Sequence, residues 1–344
     1  MQDGDQVIRA LTARRIATTA AYGGGGLTVL GGMTFGLLVL EARLAKKIIR
    51  AAPNGDPPIA DRLYGAALPG DPLSFVVLGD STGVGLGVQY PDETLGSLLA
   101  TGLSAIAARP VRLTTVAVSG SRSEALPGQT TQALEARPDI ALIMIGANDV
   151  TARTPPAESV RHLGAAVRRL RDTGCEVVVG TCPDLGSIEP LMQPLRWIAR
   201  RASRQLAAAQ TISVVERGGR SVSLGGLLGR EFAASPREMF SADRFHPSAR
   251  GYAAAAAALL PSMAAALGFE PDVEEQPDPR RGEGVLPVYL AAAEAAEEPG
   301  TEVAGTEVAG RERGPRGRWA MLLRRRDVDR TADRGGPASA SGAA

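Results

Sequence analysis

Five short apolar runs punctuate the middle of this chain, at residues 74–78, 111–118, 139–145, 176–181 and 211–215. Each is close to continuous instead of alternating with polar residues, the pattern of parallel strands covered on both faces. Between them lie longer stretches of helical period, at residues 94–108, 129–136, 157–172, 191–209 and 248–267. This order predicts an α/β domain over residues 74–268, a doubly wound parallel sheet with helices on both faces. In such sheets ligands sit at the carboxyl ends of the strands. Short polar motifs follow three of the predicted strands.

The flanks follow different patterns. After an N-terminal segment, residues 1–16, the run 17–40 carries no charge and is about as long as a helix needs to cross a bilayer. Arg9, Arg14 and Arg15 precede it, and Arg43, Lys46, Lys47 and Arg50 follow. No A-x-A cleavage site ends it and no cysteine nearby accepts a lipid, so it reads as a single-pass membrane anchor. Basic residues on both sides leave its orientation open, an exported enzyme behind a short anchor being the commoner arrangement. Residues 41–73 read as a linker, rich in Pro, Gly and Asp over 54–72. Residues 269–344, with Gly-Thr-Glu-Val-Ala twice in tandem from Gly300, bury too little apolar surface to offset ordering and read as a disordered tail. The basic, apolar stretch 318–326 within it reads as a solvated cluster, with a membrane-surface contact as the alternative.

Composition narrows the function classes. A formal net charge of +1 lacks the basic excess of a nucleic-acid binder. The two cysteines, Cys175 and Cys182, stand at opposite ends of a predicted strand, too far apart to bridge, and read as reduced thiols. No Cys/His cluster has metal-ligand spacing, so neither a metal nor an organic cofactor is expected.

The candidate chemistry lies in four motifs. Gly79-Asp80-Ser81 follows the first strand and puts a serine in a glycine-rich turn that keeps bulk away from it. A serine hydroxyl needs a base, and the chain holds two histidines. His162 sits on a charged amphipathic helix beside Glu158. His246 follows Asp243 by three residues in Asp243-Arg244-Phe245-His246-Pro247, just before a helix cap at Ser248. That short loop can hold carboxylate and imidazole together, fixing the tautomer and stabilising the imidazolium. Donors for an oxyanion are available from the backbone N–H of Ser81, the backbone N–H of Gly120 and the side chain of Asn148 in Gly146-Ala147-Asn148-Asp149. Glycine at 120 permits close backbone approach to a substrate oxygen. Asn148 also fits a plain turn residue. A nucleotide loop at Gly83–Gly87 is excluded by the missing P-loop lysine and the failed third glycine of G-x-G-x-x-G.

Together these motifs resemble the SGNH hydrolases of the GDSL type. Gly79-Asp80-Ser81-Thr82, Gly120, Gly146-x-Asn148-Asp149 and Asp243-x-x-His246 match the family's blocks, with Thr82 where the family name has Leu. The resemblance implies a three-layer α/β/α, flavodoxin-like sandwich. It implies Ser81 as nucleophile, His246 as base, Asp243 as its partner, and Ser81, Gly120 and Asn148 as oxyanion hole. Asp80 would support its loop. The implied activity is cleavage of a carboxylic ester through an acyl-enzyme, by an esterase, lipase or deacetylase acting on a small-molecule, lipid or carbohydrate ester. An acyltransferase using the same site and a non-catalytic binding protein on the same fold are the alternatives. Loops 182–193 and 221–241 are expected to line the acyl pocket, Pro183-Asp184-Leu185 among them.

Overall fold

The fold is seen in a computed structural model. It describes residues 55–224, 232, 234–269, 302–305 and 315–316, with residues 37, 39–41, 43, 44 and 47 near the N-terminus. The strands are β1 (Leu63–Tyr64), β2 (Leu73–Gly79), β3 (Val111–Thr115), β4 (Ile140–Met144), β5 (Glu176–Gly180), β6 (Arg220–Val222), β7 (Glu302–Gly305) and β8 (Pro315–Arg316). They form one sheet in the order β1-β3-β2-β4-β5-β6-β7-β8. The five strands from β3 to β6 are parallel, while β1, β7 and β8 pair antiparallel at the edges. Numbered along the chain, the parallel set reads 2-1-3-4-5, the flavodoxin-like order, with its switch point between the first and third of those strands, β2 and β4. The register there sets Gly79 opposite Met144, so the ends of β2 and β4 finish side by side.

Strict alternation along β2 builds two cores. Phe75 and Val77 face one layer with Leu113, Leu142 and Val178, packed against α2 (Leu95–Ala107) and α8 (Ala249–Ala266) through Leu99, Leu103, Tyr252 and Leu259. Val76 and Leu78 face the other with Ile143, Val177 and Val179. There the cover comes from α3 (Leu126–Glu135), α5 (Pro156–Arg171) and the end of α6 (Leu195–Val215), through Ala133, Leu163, Val167 and Val214. All these side chains are buried. The three-layer reading therefore holds, as do four of the five predicted strands and four of the five helices within a few residues, while the helix expected over 191–209 runs from Leu195 to Val215.

The fifth predicted strand is a correction. Residues 211–215 are the last turns of α6, not a strand, because Ser203, Leu206, Ala207, Gln210 and Val214 are buried at helical spacing. The β-branched run Thr-Ile-Ser-Val-Val gave the strand signal, and packing of α6 on α5 outweighs that propensity. The fifth parallel strand is β6, reached through the turn at Gly218 and Gly219.

Two edge strands come from segments expected to lack structure. β1 lies within 41–73, where Tyr64 donates from its hydroxyl to the Ala60 carbonyl (2.8 Å) and both side chains join the core. β7 and β8 lie within 269–344 and continue the sheet past β6. Residues 1–16, most of 17–40 and most of 269–344 fall outside the described residues. Among those described, no helix is long and apolar enough to cross a membrane.

Candidate active site

β2 ends at Gly79, whose φ is +130° and where a Cβ would stand 1.8 Å from the Met144 carbonyl oxygen. Only glycine fits that close approach of two strand ends. The chain turns at once into a short helix, α1 (Ser81–Val84), capped by Asp80 Oδ1, which accepts from Thr82 N–H (3.0 Å). Ser81 is thus the first helical residue, and its N–H has no acceptor within the helix. Burial pushes the pKa of the Asp80 carboxyl up to about 6, against the pull of its Thr82 hydrogen bonds and of His246.

Across the cleft, Asp243 organises its own loop. Its Oδ1 accepts from Ser241 Oγ (2.7 Å) and from the N–H groups of Phe245 (2.8 Å) and His246 (2.9 Å). Its Oδ2 meets His246 Nδ1 at 2.5 Å. Burial alone would raise its pKa; the hydrogen bonds from His246 and Ser241 outweigh it and leave it well below the usual carboxylate range. His246 Nε2 in turn reaches Ser81 Oγ at 3.0 Å. The three predicted side chains, drawn from chain positions more than 160 apart, form one continuous line of hydrogen bonds, and all three residues are buried. Tyr252 on α8 braces this union by donating to the Leu86 carbonyl (2.7 Å), just past α1. The other histidine, His162 on α5, has its neighbour Arg161 as its hydrogen-bond partner among the described residues (3.4 Å).

Gly120 follows β3 with φ +82°, and nothing lies within 4 Å of where a Cβ would stand. Asn148 is on α4 (Ala147–Ala152), directly after β4. Its amide donates to the Ser121 carbonyl (3.0 Å), so the two candidate donors sit on adjoining loops. One N–H of that amide remains for a ligand. The following residue repeats the link: Asp149, fully buried, accepts from Ser123 N–H (3.0 Å) and from Ser123 Oγ (3.1 Å). Burial raises the pKa of Asp149 despite those bonds.

Two buried glutamines, which the sequence reading passed over, hold the strand ends. Gln129 on α3 accepts from Gly79 N–H (2.8 Å) and donates to the Gly79 carbonyl (2.9 Å) and to Ser121 Oγ (3.3 Å). Gln210 on α6 accepts from Cys182 N–H (2.7 Å) and donates to the Ile145 carbonyl (2.9 Å). The available signal was a polar residue on the core stripe of each helix, an expensive placement unless it is hydrogen-bonded.

Beside Ser81 and His246 opens a cavity with mostly apolar walls. Met144, Leu185, Ile188, Leu224, Phe232 and Phe240 line it, with Asn148 and Asp80 at its polar end. Both loops expected to line a pocket contribute, Pro183, Asp184 and Leu185 included. Gly120 is not among the lining residues. Cys175 and Cys182 are buried free thiols; burial raises both, Cys175 to about 12, so neither is a ready nucleophile.

Comparison with known proteins gives consistent matches. Residues 77–254 fit the GDSL-like lipase/acylhydrolase family. The chain is 40% identical to a GDSL-like esterase of Mycobacterium tuberculosis over 279 residues, 77% of this chain and 87% of that one. Among solved structures, a mutant of the acetylxylan esterase Axe2 from Geobacillus stearothermophilus shares 19% identity with a TM-score of 0.45, covering 59% of this chain and 97% of that one. A lipolytic protein of the G-D-S-L family from Veillonella parvula shares 18% identity with a TM-score of 0.43, covering 55% and 96%.

Proposed function

The chain belongs to the GDSL-like lipase/acylhydrolase family, and from that premise we propose that it is a serine esterase that cleaves a carboxylic ester through an acyl-enzyme. The observation that carries the reading is the unbroken line Asp243–His246–Ser81 at the mouth of an apolar cavity. Ser81 Oγ attacks the ester carbonyl carbon while His246 Nε2 takes its proton, and the carbonyl π electrons move onto oxygen. The resulting oxyanion rests on the N–H of Ser81, the N–H of Gly120 and the Asn148 amide. Collapse of this intermediate breaks the bond to the leaving alkoxide, which takes the proton from His246. A water then repeats the sequence on the acyl-serine, giving the free acid and restoring Ser81. Asp243, held ionised by its hydrogen bonds, keeps the proton of the neutral imidazole on Nδ1 and stabilises the imidazolium.

The cavity's apolar walls favour an acyl group over a charged one. The test is mass-spectrometric mapping of a fluorophosphonate adduct on the full chain. Labelling of Ser81 that disappears in His246→Ala supports the mechanism. Folded protein that stays unlabelled, or labels equally in both forms, overturns it.

A further inference from the structure

Ten large apolar side chains are exposed among the described residues, and six of them belong to two neighbouring elements. Met192, Trp197 and Ile198 lie at and just before the start of α6. Leu37, Leu40 and Leu44 lie on the helical residues near the N-terminus. A hydrogen bond ties these elements: the buried Glu41 carboxylate accepts from Leu195 N–H (3.2 Å), the first N–H of α6.

The charge of this corner needs an explanation of its own. α6 contains no acidic residue but carries Arg196, Arg200, Arg201 and Arg204 in its first half, where the helix dipole disfavours cations. Arg200 and Arg204 are accounted for by Asp184, at 3.2 and 3.5 Å, and Arg196 by the Glu189 and Leu191 carbonyls. Arg201 is exposed, and no carboxylate among the described residues pairs with it. Trp197, Arg200, Arg201 and Arg204 line one shallow depression. On the N-terminal element, Arg43 and Lys47 stand exposed beside the leucines. An apolar stripe interleaved with unspent cations, one of them beside an exposed tryptophan, is the chemistry of an anionic lipid surface.

Position points the same way. Asp184 lines the cavity together with Leu185 and Ile188 and also engages Arg200 and Arg204 of α6. The corner therefore borders the cavity wall, and the uncharged run 17–40 leads directly into it. We infer that the start of α6, together with Leu37, Leu40, Arg43, Leu44 and Lys47, is the face by which this protein lies on an anionic lipid surface, with the candidate site beside the lipid.

The test uses the full chain carrying Trp319→Phe, which leaves Trp197 as the single tryptophan. Vesicles of ether-linked phosphatidylglycerol or phosphatidylcholine, which an esterase cannot cleave, are titrated in while Trp197 emission is followed. The expected result is a blue shift on phosphatidylglycerol alone, reversed by high salt. Arg201→Glu should raise the half-saturating lipid concentration about thirtyfold, from roughly 1 kcal/mol per surface charge, with an unchanged melting temperature. An unshifted Trp197 overturns the inference, whether or not the chain sediments with the vesicles through residues 17–40. So does an equal shift on both lipids. A shift without lipid that follows protein concentration also overturns it, and assigns the face to a second copy of the chain. None of these readouts depends on Ser81, so they stand apart from the esterase reading.

Discussion

Ser81 touches His246 Nε2 and lines the cavity, but the sheet does not depend on its hydroxyl. Ser81→Ala is expected to lower ester turnover by about four orders of magnitude and leave the thermal melt within a degree or two, as measured on a chromogenic ester and by circular dichroism. Asp80 gives a prediction of a different kind. Its carboxyl titrates near 3.8 when unfolded and near 6 when folded, so between those values the folded state holds a proton that the unfolded state has lost. Stability therefore falls as pH rises from about 4 to 6 and stays lower above. Asp80→Asn, which keeps an acceptor for Thr82, should remove that slope and stabilise the protein at pH 7 by about 2–3 kcal/mol, read from urea unfolding across pH. Asp243 acts in the opposite sense: its lowered pKa contributes stability above the ordinary carboxylate range that is lost in stronger acid. The serine, histidine and aspartate were readable because each stands in a short motif after a strand or before a helix. The hydrogen-bonding glutamines were not, since their backbone partners lie 28 to 65 residues away.

The elements show where the linear pattern works and where it fails. The strands β2, β4 and β5 are covered on both faces, so their apolar runs are continuous and unambiguous. The end of α6 is read wrongly because five residues rich in β-branched side chains look the same in a buried helix and a buried strand, and only the spacing upstream decides. α3 contributes most through one side chain. Gln129 bonds both backbone groups of Gly79, and its removal leaves the buried N–H without a partner while the carbonyl keeps only Val118 N–H. Gln129→Ala is expected to cost about 1–3 kcal/mol and to lower kcat more than it alters KM, because it loosens the turn that presents Ser81. Steady-state kinetics beside a denaturation curve would separate the two effects. An unchanged kcat in a destabilised protein would assign Gln129 to packing alone.

On the scale of the whole molecule, the flavodoxin-like order brings the ends of β2, β3 and β4 together, and α8 closes over them with His246 at its threshold. That much follows from alternating strands and helices. The edges do not, because two-residue strands and a repeat-rich segment carry no periodicity to read. β7 covers the open side of β6, so a chain ending at Phe269 exposes an unpaired strand. Such a chain should self-associate, visible in light scattering, while its turnover per folded molecule is unchanged.

The paired links between the Gly120 and Asn148 loops, from Asn148 to Ser121 and from Ser123 to Asp149, have a consequence for how activity losses add. They act as two rungs of a ladder, so neither donor can shift without carrying the other. Asn148→Ala should therefore cost more than the roughly hundredfold to thousandfold expected of one missing donor. Adding Ser123→Ala to it should cost little further. In a double-mutant cycle the two loops would register as a single thermodynamic unit, with a large coupling energy in place of two independent contributions.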